Sequence, residues 1–260
     1  MGIAVTDYDN DGLVDFFFSN TGSTAPFFMA SGDLRSDQTY YPKWIMFHNE
    51  GEFKFTDIAQ NAKLADYEFS WGAVFEDFNL DGRPDLVVSE NYVDLPPHKV
   101  PFLRLPGRFM VQNSAGEFAA VGSQACVVNK RYSISPVTAD FNLDGIPDLV
   151  HINLAGKSKA FISENGSNNF IKVKLPNTVR SVGAMVKATL SDGRILYRPF
   201  VKGEGLCADS TPIITLGTGD ANVTSLEVKL LTGETVTAEV EGLGSTVVIP
   251  LPESKEAAIE

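Results

Sequence analysis

The chain is short of the residue types on which most enzymes rely. Of its 260 residues, two are cysteine, Cys126 and Cys207, and three are histidine, His48, His98 and His151. Two cysteines cannot build a disulfide framework, and neither residue type shows zinc-site spacing. The two cysteines fall in different parts of the chain, and two separate thiols are the simpler reading. No nucleophile elbow or phosphate loop is present. No apolar run approaches the ~20 residues of a transmembrane helix. Basic side chains are scarce as well, 21 Lys and Arg against 33 Asp and Glu, for a formal net charge of -12. Such a surface argues against nucleic acid and against insertion into an anionic membrane. Helical periodicity is nearly missing too; "FTDIAQNAKLA" at 55–65 is the one short candidate.

What the chain does have is one acidic phrase written three times. It reads "DYDNDGLVD" at 7–15, "DFNLDGRPD" at 77–85 and "DFNLDGIPD" at 140–148. Each begins like the twelve-residue calcium loop of an EF-hand, but the bidentate Glu at position twelve is missing. Phe18, Val88 and His151 stand there instead. Alternating side chains at positions 1, 3 and 5 can converge on one cation when the loop curls. They are Asp7, Asp9 and Asp11 in the first loop, Asp77, Asn79 and Asp81 in the second, and Asp140, Asn142 and Asp144 in the third. Gly12, Gly82 and Gly145 at position 6 permit the turn, and the carbonyls of Leu13, Arg83 and Ile146 add an oxygen. Asp15, Asp85 and Asp148 close each loop at position 9. A strand rather than a helix leaves the loop, and three strand residues span about 10 Å, so residue 12 is carried out of reach. Oxygen-only ligation suits Ca²⁺ over zinc or copper, and up to three ions are expected. The plainer reading is a turn held by Asx hydrogen bonds; three matches in one strand context weigh against it.

The flanks of the loops repeat as well. Before each stands a short apolar strand ("GIAVT", "WGAVFE", "SPVTA"), and after each a second ("LVDFFFSN", "PDLVVSEN", "PDLVHINL"). A third strand, a Gly- or Asn-rich turn and a fourth strand follow: "WIMFHNEGEFKFTDI", "RFMVQNSAGEFAAV", "KAFISENGSNNFIKV". The expected fold is all-β: a partial β-propeller of about three four-stranded blades over 1–167, a small antiparallel β domain over 168–250, and an acidic tail at 251–260. The excess over common blade periods of ~40 to 50 sits in two insertions, 21–42 and 92–107, where a binding surface is expected. Three blades cannot close a ring. Met1 leads straight into a strand, so further blades from a preceding segment or another chain are expected, with open strand edges inviting association.

These residues resemble a known family. The D-x-D/N-x-D-G-x-x-D loops, their flanking strands and the "GEF" turns are similar to FG-GAP/VCBS repeats, the calcium-bearing blades of the integrin α-subunit propeller and many bacterial surface proteins. The C-terminal part resembles the UnbV/ASPIC domain, which follows such repeats in cartilage acidic protein and its bacterial relatives. The matching stretches are "NNFIKVKL" at 168–175, "SVGAMVKATLSDGR" at 181–194 and "TLGTGDANVTSLEVKLLTGETV" at 215–236. That domain's usual "H-F-G-L-G" and "W-P-S-G" are replaced by "TLGTG" and "LLTG". The resemblance implies an extracellular, cell-surface or periplasmic setting and a non-enzymatic role in adhesion or scaffolding, with a protein or glycan ligand. Two other functions compete. One is a carbohydrate-binding module, with Phe27, Phe28, Tyr40, Tyr41, Trp44 and Trp71 stacking on sugar, although aromatics in a β-protein more often fill the core. The other is an enzyme of polysaccharide metabolism on a propeller platform, for which His98 in the second insertion is the best-placed histidine.

Overall fold

Short apolar stretches broken by Asp-, Asn- and Gly-rich turns leave the chain little room for helices. In the computed structural model, residues 2–22, 34–67, 69–91, 105–154, 156–164 and 166–251 are described. They hold eighteen strands and one 3-10 turn, Val179–Ser181. The fold is an all-β partial propeller. The first blade is β1 (Ile3–Thr6), β2 (Asp15–Phe18), β3 (Ile45–Gly51) and β4 (Lys54–Asp57), paired in that order. The second is β5 (Ser70–Glu76), β6 (Asp85–Glu90), β7 (Arg108–Gln112) and β8 (Phe118–Ala120). The third is β9 (Ser133–Ala139), β10 (Asp148–Asn153) and β11 (Lys159–Phe161). The first strands of the blades, β1, β5 and β9, pack side by side.

Two further sheets follow. One is β15 (Ile213–Gly219), β12 (Asn169–Lys174) and β18 (Thr246–Val248); the other is β14 (Ile195–Pro199), β13 (Met185–Leu190), β16 (Val223–Lys229) and β17 (Thr235–Ala238). They hold a core of their own, including Ile171, Val173, Val186, Leu196, Leu216 and Val228. Blades one and two share another, built on Phe17, Trp44, Met46, Leu86 and Met110.

Three expectations change. The third blade has three strands among the described residues, because "FIKVK" pairs as β12 with β15 instead of with β11. Ile171 and Val173 thereby enter the C-terminal core. The C-terminal sheets are not wholly antiparallel, since β12 and β18 run parallel. Residues 55–65 form no helix: they end β4 and then turn, burying Ala59, Ala62 and Leu64 under the blades, and a compact turn suffices for that. Segment 204–211 also reaches the inner strands. Gly205 N–H donates to the Ile3 carbonyl (3.3 Å), Val5 N–H to Glu204 Oε1 (2.7 Å) and Thr211 N–H to the Thr138 carbonyl (3.3 Å). Segment 204–211 thus partners some of the backbone groups on β1 and β9.

Cys126 and Cys207 are exposed and unpaired. Residues 23–33 of the first insertion and 92–104 of the second, with Phe27, Phe28 and His98, lie outside the described residues.

Candidate metal centre

Each acidic loop joins two strands already in register, so the sheet fixes the loop's ends. Thr6 pairs with Asp15, Glu76 with Asp85 and Ala139 with Asp148. That places positions 1 and 9 side by side in all three repeats. Position 9 is buried each time: Asp15, Asp85 and Asp148 are 0%, 1% and 0% exposed.

The same hydrogen bonds recur three times. The position 1 carboxylate accepts from the N–H of position 5, as Asp7 from Asp11 (3.1 Å), Asp77 from Asp81 (3.0 Å) and Asp140 from Asp144 (3.1 Å). Its second oxygen accepts from the glycine at position 6, at 2.7, 2.8 and 2.9 Å. The position 5 carboxylate takes the N–H of position 7, at 2.7, 2.9 and 2.9 Å. Position 9 reaches back to the N–H of position 2 and across to the third strand or just past its end, where Asn49, Gln112 and Ser163 donate. These bonds curl the chain so that positions 1, 3 and 5 face one another. Two left-handed residues make the curl: the glycine at position 6 (φ 90, 89 and 96°) and its predecessor by two, Asn10, Leu80 or Leu143 (φ 62, 57 and 63°). The glycine is legible in the sequence. The second position is signalled only in the first loop, where Asn tolerates that region.

Electrostatics separates the loops. In the first, carboxylate oxygens of Asp7, Asp9 and Asp11 lie within 4.8 Å of one another. Burial pushes the Asp7 carboxyl up to about 7, against the Gly12 N–H and the Arg198 guanidinium, which pull it down. Burial likewise raises Asp15 and Asp77 to about 6, and raises Asp85 well above the ordinary carboxylate range. Buried acids this under-compensated are what a bound cation relieves. The donors are all oxygen, a set of the kind Ca²⁺ takes; Asp7, Asp9 and Asp11, with Asp15 and the carbonyl of Leu13, would hold it. The ion would supply two positive charges and tie β1 to β2.

The other loops carry basic side chains of their own. In the second, Arg83 was expected to offer its carbonyl; its guanidinium also pairs with Asp81. In the third, Lys172 of β12 places its ammonium on Asp140. Burial pushes Asp140 up, but Lys172 and the Gly145 N–H outweigh it and leave the carboxyl below its ordinary value. The third loop therefore fits a metal ion less well than the first. Lys172→Met should remove this internal counterion. With a chelator present the variant should lose about 1–3 kcal/mol, and calcium should return more stability to it than to the parent. Thermal melts in EDTA and in millimolar calcium check this; equal recovery by both proteins would contradict it.

The C-terminal sheets seat on these loops, which the sequence did not reveal. Arg198 is buried; it donates to Asn10 Oδ1 (2.8 Å) in the first loop and to the Gly82 carbonyl (2.9 Å) in the second. Arg194 donates to the Asp81 carbonyl (2.9 Å), and Gly217 N–H to Asp77 Oδ2 (3.2 Å). A Cβ at Gly217 would collide with the backbone of Leu80 and the carboxylate of Asp77, so only glycine allows this approach. The signal available in "RILYRPF" was two arginines in an otherwise apolar strand.

The remaining candidates read as structure. His151 is buried, with Nδ1 3.1 Å from Ser133 Oγ, and burial pushes it down to about 4, so it is neutral. Trp44 is fully buried, stacks on Tyr67 at 4.6 Å and donates to Ser70 Oγ (2.8 Å), which removes it from any sugar platform. Trp71 is partly accessible, with its indole N–H on the Asn91 carbonyl (3.1 Å). No described helix is long and apolar enough to cross a membrane.

No curated protein matches the sequence. Residues 7–88 match the family model of the FG-GAP-like repeat, a stretch running from Asp7 of the first loop to Val88 in β6. The third loop repeats the bonding of those two on a blade of the same strand order. This match covers the first two loops, and the blade arrangement around all three agrees with repeats of that kind.

Proposed function

We propose that the protein is a calcium-stabilised, non-enzymatic scaffold that works outside the cytosol, at a cell surface, in the periplasm or beyond it, and presents the propeller to a protein or glycan ligand. The observation that carries this reading is the first loop, where the buried carboxylate of Asp7 and the exposed carboxylates of Asp9 and Asp11 converge without a lysine or arginine ion-paired to any of them among the described residues. Extracellular calcium near ~1 mM fills sites with Kd of ~10⁻⁴ M, so a loop of modest affinity is occupied there and largely empty in the cytosol. The reading assigns no catalytic step. His151 is neutral and buried, and the acids of the loops are tied into backbone hydrogen bonds that hold the strands. Adhesion or assembly needs only a rigid surface, which three blades and two C-terminal sheets docked on their loops supply.

Equilibrium dialysis of the metal-stripped chain against ⁴⁵Ca tests the reading. The expected result is at least one ion per chain at millimolar calcium, lost first in Asp11→Ala. No uptake at millimolar calcium would overturn it.

A further inference from the structure

The first repeat departs from the other two at two positions, and the fold brings those positions together. Position 3 of its loop is Asp9, where the second and third loops have Asn79 and Asn142. Its third strand carries His48. The three blades can be aligned through the residue that donates its N–H to the position 9 carboxylate, Asn49, Gln112 or Ser163. The residue before it is then His48, Val111 or Ile162. One repeat has gained a carboxylate and an imidazole; the others keep an amide and an aliphatic side chain. In space His48 Nδ1 lies 3.3 Å from Asp15 Oδ1 and 3.8 Å from Asp9 Oδ2. Ligand atoms of all three side chains fall within 4.8 Å of one another.

We propose that Asp9, Asp15 and His48 form a binding site for a transition-metal dication of the zinc class, beside the oxygen-only group of Asp7, Asp9 and Asp11. Three features argue for it. The separations are long for a charge-assisted N–H···O⁻ bond, which closes to about 2.7–2.9 Å. They approach the edge of a tetrahedron instead: with metal–N and metal–O bonds of about 2.0–2.2 Å, neighbouring ligand atoms stand about 3.3–3.5 Å apart. The donor set is one nitrogen and two carboxylates, and an imidazole favours zinc, nickel or copper where calcium takes oxygen. The site is also accessible. Asp15 is buried and held by the N–H groups of Tyr8 and Asn49, while the side chains of Asp9 and His48 are 33% and 24% exposed. A rigid inner ligand and two outer ones leave an entry path and a coordination position for water. Tyr8 packs edge-on against the imidazole, ring centres 5.6 Å apart, and limits its rotation.

This inference does not require calcium in the loop; Asp9 and Asp15 belong to both ligand sets, so the two ions would compete, and the test reads the transition metal alone. The whole chain, stripped of metal and in calcium-free buffer, is titrated with Co²⁺, whose visible d–d absorption reports a nitrogen-containing, low-coordinate site. A band that Zn²⁺ displaces is expected, with Co²⁺ affinity falling by about 10- to 100-fold or more in His48→Gln. Asp9→Asn gives the first loop the composition of its sister loops, so its fold is safe, and it should weaken Co²⁺ to a similar degree. Long-range ¹H–¹⁵N spectra of the histidine rings should show Zn²⁺ shifting His48 while leaving His151 in place. Absence of Co²⁺ binding would overturn the proposal, as would binding that persists unchanged in both variants.

Discussion

Calcium added to the metal-stripped protein should raise its melting temperature, and by more at pH 8 than at pH 5. The gain follows mass action. A site with Kd of ~10⁻⁴ M in ~1 mM free calcium contributes about 1.4 kcal/mol, and three such sites would contribute roughly 4 kcal/mol. The first loop should supply most of the effect, because Arg83 and Lys172 already compensate Asp81 and Asp140. For a chain of this size each kcal/mol moves the midpoint by roughly 2–4 °C. The pH dependence comes from acids raised by burial: Asp7 to about 7, and Asp15 and Asp77 to about 6, from an ordinary 3.8. Between these values the folded, metal-free chain binds more protons than the unfolded one, so its stability falls as pH rises from about 4 to about 7. Calcium binds the ionised form and removes that loss, which makes its benefit largest above pH 7. Asp11→Ala should remove much of the benefit. Differential scanning calorimetry with chelator and with calcium at both pH values checks this; an unchanged midpoint on adding millimolar calcium would sink it.

Arg198→Met should destabilise the metal-free protein by about 3–5 kcal/mol, as removal of one partner from a buried charge cluster typically does. The guanidinium spans the first two loops and the C-terminal sheet. It donates to Asn10 Oδ1, the Gly82 carbonyl and the carbonyl of Tyr197. Burial holds its pKa below the ordinary value, against the pull of Asp77, Asp7 and Glu76, yet an arginine stays charged. Taking it away removes one of the donors to the Gly82 carbonyl and the cation that pulls both Asp7 and Asp77 down. Calcium in the loops would replace part of that charge but none of the hydrogen bonds. The loss should therefore shrink in millimolar calcium without vanishing. Urea unfolding in EDTA and in calcium measures both numbers. A loss under about 1 kcal/mol, or one that is the same in both conditions, would show that Arg198 only fills space.

The spacing of Asp, Asn and Gly determined the loops outright. Three copies of one nine-residue phrase, each between apolar stretches of strand length, admit little besides a strand–loop–strand repeated blade by blade. The bonding of Asp7, Asp77 and Asp140 to the glycine five residues on is local chemistry, so the spacing alone encodes it. The burial of Asp15, Asp85 and Asp148 follows from their place at the head of a second strand. The fate of "FIKVK" was decided only in three dimensions: its pattern fits a fourth blade strand or a new sheet equally, and the apolar partners in β15 and the C-terminal core settled it. The same holds for Lys172 on Asp140, Arg198 between two loops, and His48 beside Asp9. Those pairs are 32, 188 and 39 positions apart in sequence, and no local periodicity encodes which charge a folded chain brings to a buried acid. A motif states which atoms can bind a cation. Which of three equal motifs keeps its charge uncompensated depends on what the rest of the fold lays across it.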